Sequence, residues 1–173
     1  MKERITAFLV RRRVTLGFVV AVAALMMARP TWTTWSAGLA VACVGEALRV
    51  WAAGHLEKGR EVTRSGPYRW TRHPLYVGSA IIALGVVIAA WSVVVALVGA
   101  VYIGVTIPMA IHAEEAFLRR TFGATYDLYR RDEAPPMLRR FSLEHARRNR
   151  EHRAVAGLIG GFAILAARLL LSI

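Results

Sequence analysis

Three groups of residues in this chain have the types and spacing to do chemistry. Arg72-His73-Pro74-Leu75-Tyr76-Val77-Gly78 stands where a charged loop enters a long apolar run. Glu114 and Glu115 stand side by side just after that run ends. Glu46 and Arg49 lie three residues apart in an earlier apolar stretch, so a helix places them on one face. Pro74 suits the first position of a helix, where its missing N–H costs nothing, with His73 at or beside the cap. The helix mouth then offers free N–H groups and a positive dipole end to an anionic group, and Arg72 adds a fixed charge. The same residues also suit an interfacial anchor, with Arg72 on a lipid phosphate and Tyr76 in the aromatic belt.

The other groups are equally two-sided. Glu115 can pair with Arg119 at i, i+4 and Glu114 with a loop arginine, or both can accept hydrogen bonds from a cationic or hydroxyl-rich ligand. Tyr126 and Tyr129 share a face and can pack or stack on a flat ring, and Ala134-Pro135-Pro136 stops that helix. Glu46 with Arg49 is either a buried pair that holds helices together or the polar wall of a cavity, since ionisable residues inside a membrane face the bundle interior.

The elements that position these groups follow from hydropathy. The chain has 173 residues, 56% of them hydrophobic, with mean hydropathy +0.43. That is too apolar for an ordinary soluble domain. Leu75 to Ile111 carries no formal charge. As one helix it would be ~55 Å long against a hydrocarbon core of ~30 Å, so it is read as a hairpin bending near Trp91-Ser92. The expected spans are 14–30, 34–56, 75–91, 92–112 and 154–172. The fold is thus all-α and multi-pass, with about five transmembrane helices in a single membrane domain spanning 1–173. Gly157, Gly160 and Gly161 in the last span suit close helix approach. The single cysteine, Cys43, excludes an internal disulfide and a cysteine-based metal site. The five histidines are scattered, so no metal site is expected.

The net charge of +12 suggests nucleic acid, but its placement argues otherwise. Of 23 basic residues, five precede the first span, five lie between the second and third, and ten fall between Arg119 and Arg153. Only Arg29 is on the other side, and Arg49 and Arg168 lie within spans. This is the positive-inside pattern of a membrane protein, so the N-terminus and the candidate site are expected to be cytoplasmic. The same charge attracts anionic lipid head groups. The basic segment 139–153 is expected to lie along the membrane surface.

Gly66-x-Tyr68-x-x-x-Arg72-His73-Pro74-x-Tyr76-x-Gly78, an apolar hairpin, then Glu114-Glu115-x-x-Leu118-x-x-x-Phe122-Gly123-x-x-Tyr126-x-x-Tyr129 and a proline together resemble the isoprenylcysteine carboxyl methyltransferase family, grouped with the phospholipid methyltransferases. The resemblance covers about residues 46–136 and leaves 137–173, a basic segment and a last helix, outside it. It implies an integral membrane enzyme that uses S-adenosylmethionine. Carried over, it assigns the cofactor to His73, Pro74, Leu75, Tyr76 and Gly78 on one side and Glu114 and Glu115 on the other, with Tyr126 or Tyr129 on the adenine. Gly78 would let the ligand approach the backbone. Arg72 or Arg49 would hold a carboxylate acceptor, whereas Glu46, Glu115 or His112 would take the proton from an amine. The acceptor implied is lipophilic: an isoprenylcysteine-type carboxylate, or alternatively the amine of a phosphatidylethanolamine-type phospholipid. Two other classes stand beside these, an NADPH-dependent membrane reductase and a non-catalytic membrane protein.

Overall fold

The computed structural model describes residues 17–171. The basic residues before position 14, the start of the first expected span and the end of the last lie outside them. Five apolar helices are present: α1 (Gly17–Met27), α2 (Trp32–His55), α3 (Pro74–Ala90), α4 (Val93–Phe122) and α7 (Glu151–Leu170). Two short polar helices, α5 (Ala124–Arg130) and α6 (Leu143–Arg148), follow α4. α2, α4 and α7 are each long and apolar enough to cross a membrane, and α1 and α3 are shorter apolar helices. The protein is therefore an all-helical membrane protein. No strand occurs among the described residues.

Local sequence explains the helix boundaries. Thr31 and Thr34 form a reciprocal capping box that starts α2. Pro74 occupies the first position of α3 as expected, with His73 at the cap, but the His73 side chain makes no capping hydrogen bond. Trp91 adopts a left-handed conformation (φ 46°) and turns the chain from α3 into α4, where the hairpin bend was expected. Gly123 (φ 48°) then ends α4. α4 extends ten residues beyond the expected end of its span, through Phe122. Glu114 and Glu115 thus ride on the helical extension of α4. α5 stops at Arg130, before Pro135 and Pro136 are reached.

α2 and α3 make the closest pair in the bundle. Gly45 packs against the Gly78 carbonyl and Gly85 against the Gly38 carbonyl. Each pair of glycines is seven residues apart on its helix, so the antiparallel backbones touch at two levels. One apolar core, including Ala42, Ala89, Val95, Phe162 and Leu165, joins α2, α3, α4 and α7. A second, built on Val62, Tyr126 and Tyr129, lies at the basic end of the bundle.

The segment 139–153 is lashed to the end of α2. Asn149 donates to the Ala53 and Leu56 carbonyls at 2.9 Å each. Arg139 donates to the His55 carbonyl and pairs with Glu61. Arg148 and His145 both reach Glu57. These contacts satisfy carbonyls that every helix C-terminus leaves open. They also fix the start of α7.

Candidate functional site

The end of α2, the 57–73 loop, the mouth of α3 and the extension of α4 enclose a cavity of about 400 Å³. That is within the usual range for a small-molecule site. Arg72, His73, Pro74, Leu75 and Tyr76 line one wall and Glu114, Phe117 and Leu118 the other, with Tyr68 and Tyr129 also in the lining. The two walls are tied by His73 Nε2 and Glu115 Oε1 at 3.2 Å. Glu115 therefore pairs across the site, and Arg119 pairs with Asp127 instead, at 3.0 Å.

The α3 mouth offers fewer free donors than its sequence suggests. Pro74 has none, and the Tyr76 and Val77 N–H groups donate to the His73 carbonyl at 3.0 and 3.1 Å. The Leu75 N–H makes no hydrogen bond among the described residues. Arg72 donates to the Arg130 carbonyl at 3.0 Å, which joins the α3 mouth to α5 and leaves the rest of its fork exposed.

Three phenols lie at or behind the cavity. Tyr129 is buried and donates to the Tyr68 carbonyl at 2.7 Å. Burial pushes its phenol up to about 12. Tyr126 is 1% exposed and is pushed up to about 12 by burial and by the Glu115 charge. Burial also pushes the Tyr68 phenol up, with the Glu114 charge adding to it. All three stay neutral in the physiological range and act as hydrogen-bond donors or packing surfaces. Tyr129 reaches the cavity; Tyr126 lies behind it, among Leu118, Phe122 and Val62.

Gly78 faces away from this cavity. A Cβ there would run into the Arg49 side-chain stem and the Gly45 carbonyl. Its smallness serves the α2–α3 seam, so the sequence reading of a ligand approaching its backbone finds no counterpart. His112 is exposed and its Nδ1 is held by the Pro108 carbonyl at 2.7 Å.

Arg49 is the centre of a buried cluster that sequence spacing revealed only in part. Its Nε donates to Glu151 Oε1 at 2.7 Å, and Glu46 Oε2 is 3.8 Å away. Its Nη1 donates to Ser79 Oγ at 2.5 Å. Glu151 opens α7 and is 5% exposed. A residue 102 positions from its partner gives no local spacing signal, and Ser79 is one hydroxyl within an apolar helix.

Arg49 and Ser79 also line a second, larger cavity of about 590 Å³ between α1, α2, α3 and α7. Apart from these two and Glu46, its lining is apolar. Among the described residues no three His, Cys, Asp or Glu side chains converge to hold a metal ion.

Comparison with known proteins bears on this geometry. The family model for phospholipid methyltransferases matches residues 18–125, from α1 to the start of α5. The chain is 31% identical over 140 residues to a nickel-cobalt-cadmium resistance protein of Alcaligenes xylosoxydans xylosoxydans, covering 74% of this chain and 66% of that protein. It is 31% identical over 142 residues to a cobalt-zinc-cadmium resistance protein of Cupriavidus metallidurans, covering 73% and 64%. It thus spans just under two thirds of the length of these relatives. No solved structure gives a significant match.

Proposed function

We infer from one premise, that this chain belongs to the phospholipid methyltransferase family, that it moves a methyl group from S-adenosylmethionine to a lipid-soluble acceptor at the basic end of the bundle. The observation that carries the reading is the shared wall. Arg49 and Ser79 border both the polar cavity and the apolar one. A water-soluble donor and a membrane-dissolved acceptor can then meet without either leaving its phase. The positive-inside distribution of charge supports a cytoplasmic polar cavity. The chain acts as one unit over 1–173 in this reading, because α7 supplies Glu151.

The donor set of the polar cavity suits S-adenosylmethionine. The Leu75 N–H and the exposed part of Arg72 suit its carboxylate. Glu114 suits its ammonium or ribose hydroxyls, and Glu115 is held in place by His73. Tyr76 and Tyr129 offer faces to the adenine, and Pro74 fixes the α3 mouth. When bound, this cofactor supplies an electrophilic methyl group on a sulfonium that is already a good leaving group. The residues therefore have little covalent work to do. They align the partners and exclude water.

Two acceptor classes remain within this reading. A carboxylate, as in isoprenylcysteine O-methylation, needs no base. It would rely on Arg72, since Arg49 is engaged by Glu151 at 2.7 Å. An amine, as in phospholipid N-methylation, must lose a proton. Of the groups able to take it, His112 is exposed and Glu115 is tied to His73, which leaves Glu46 on the apolar side of the shared wall. That carboxylate lies 3.8 Å from Arg49 but has no hydrogen bond among the described residues, which favours the amine.

The test is calorimetric binding of S-adenosylhomocysteine to purified full-length protein, with reduced nicotinamide dinucleotide phosphate as the competing ligand. Wild type is expected to bind S-adenosylhomocysteine, and Glu115→Gln about tenfold or more weakly, the worth of a hydrogen bond to a charged group. Binding of the nicotinamide in its place would move the chain to the reductases. Folded protein that binds neither would remove the enzymatic reading.

A further inference from the structure

The apolar cavity has a head, a body and a measurable width. Glu46 forms the head. It is 6% exposed, and neither of its carboxylate oxygens has a hydrogen-bond partner among the described residues. Arg49 stands 3.8 Å from it with its Nε committed to Glu151. Buried polar groups in folded proteins are normally satisfied, so an unmet carboxylate facing a cavity marks a missing donor.

The body runs along α7. Gly157 and Gly161, one helical turn apart, line it. Glycines in membrane helices commonly mark close contact with a neighbouring helix. Here a Cβ added to either would meet nothing within 4 Å among the described residues. These glycines keep space open where the sequence alone suggested packing. Phe162 and Leu165, both nearly fully buried, form part of the same lining.

Charge selects the head group. Glu46 and Glu151 against Arg49 leave the cluster one negative charge in excess when both acids are ionised. A carboxylate brought to Glu46 would add a second, while the Arg49 Nε and Nη1 are already committed to Glu151, Leu75 and Ser79. An N–H or O–H would satisfy the orphaned oxygens and add no negative charge.

We propose that this cavity is the binding site for a lipid-soluble amine or alcohol, whose N–H or O–H donates to Glu46 and whose slim apolar body lies along Gly157 and Gly161 of α7. α7 lies beyond the residues that the family model matches. The placement of methyl transfer at the head of the cavity rests on the function inferred above; the binding itself does not.

The experiment uses three twelve-carbon probes, an amine, an alcohol and a carboxylate, each with an aliphatic diazirine near the methyl end. Each is irradiated with full-length protein in lipid nanodiscs, and labelled residues are mapped by mass spectrometry. The amine and alcohol are expected to label α7 between residues 154 and 165 about tenfold more than the carboxylate, the effect of one charge-assisted hydrogen bond. The amine-to-alcohol ratio then says which head is preferred. Glu46→Gln is expected to remove the discrimination against the carboxylate. Gly157→Leu and Gly161→Leu are expected to abolish labelling while S-adenosylhomocysteine binding persists. If a leucine variant fails that folding check, Gly157→Ala and Gly161→Ala replace it and are expected to lower labelling in part. Equal labelling by all three probes in wild type would overturn the proposal, because any membrane acyl chain would then fill the groove. So would undiminished labelling of the folded glycine variants. Failure of wild type to bind S-adenosylhomocysteine would sink the methyl-transfer reading alone, since the labelling pattern is read independently of it.

Discussion

At the α2–α3 seam, a carbon added to Gly45 or Gly85 would press into the backbone of the facing helix. A carbon added to Gly78 would press into the Arg49 stem and the Gly45 carbonyl. On α7, a carbon added to Gly157, Gly160 or Gly161 would meet nothing within 4 Å among the described residues. The same residue type therefore does opposite things in two parts of one bundle. In the seam it lets two backbones touch, which fixes where Glu46, Arg49 and Ser79 face one another. On α7 it holds a wall back. The seam is the rigid side of the molecule, and the α7 face is the adjustable one.

That contrast can be broken most forcefully at Gly45. Gly45→Leu would drive a branched side chain into the Gly78 carbonyl and Ile82, and overpacking of this kind costs ~1–3 kcal/mol or more. The expected outcome is loss of monodisperse protein in detergent and of S-adenosylhomocysteine binding. Retained folding would mean that the seam is looser than its geometry. Next in size is Arg49→Leu, which strands Glu46 and Glu151 in the interior. Breaking a buried pair from one side costs ~3–5 kcal/mol. Adding Glu151→Leu to that variant is expected to recover much of the lost thermal stability, as read by unfolding in detergent. No recovery would show that α7 is held elsewhere.

Smaller effects separate the two regions by sign. Gly78→Ala is expected to lower stability by ~1–3 kcal/mol, because its Cβ has no room. Gly160→Ala is expected to raise it by ~0.5–1 kcal/mol, because alanine is the better helix former and its Cβ enters open space. Parallel thermal scans of the two alanine variants decide the matter. A shift of the same sign in both would remove the distinction between seam and wall.

Much of the architecture was legible in sequence because it depends on length and hydropathy. Five apolar helices, the Pro74 start and the Trp91 turn all follow from the pattern of residues nearby. The grouping of His73–Tyr76 with Glu114 and Glu115 came from the family resemblance instead, and the tie between His73 and Glu115 could not be read from spacing. The misread features depend on what lies across the bundle. α4 continued past its apolar stretch because Glu114 to Phe122 is good helix-forming sequence with no breaker before Gly123. Gly78 and Gly157 are the same letter, and only the distance to the next helix tells them apart. Glu151 was invisible because an acid at the start of a helix is ordinary there. Its burial against Arg49 arises from the way residues 139–149 are tied to the end of α2.

The pairing of Arg49 with Glu151 also has a consequence for how the protein is made. The two are separated by 102 residues, so Arg49 enters the bilayer long before its partner has left the ribosome. In that interval Glu46, three residues away, is the acid at hand to accompany it, and a lone arginine at membrane depth is costly. In the finished molecule both acids face Arg49, Glu151 at 2.7 Å and Glu46 at 3.8 Å, so the near acid answers the cost of insertion and the distant one closes the assembled bundle.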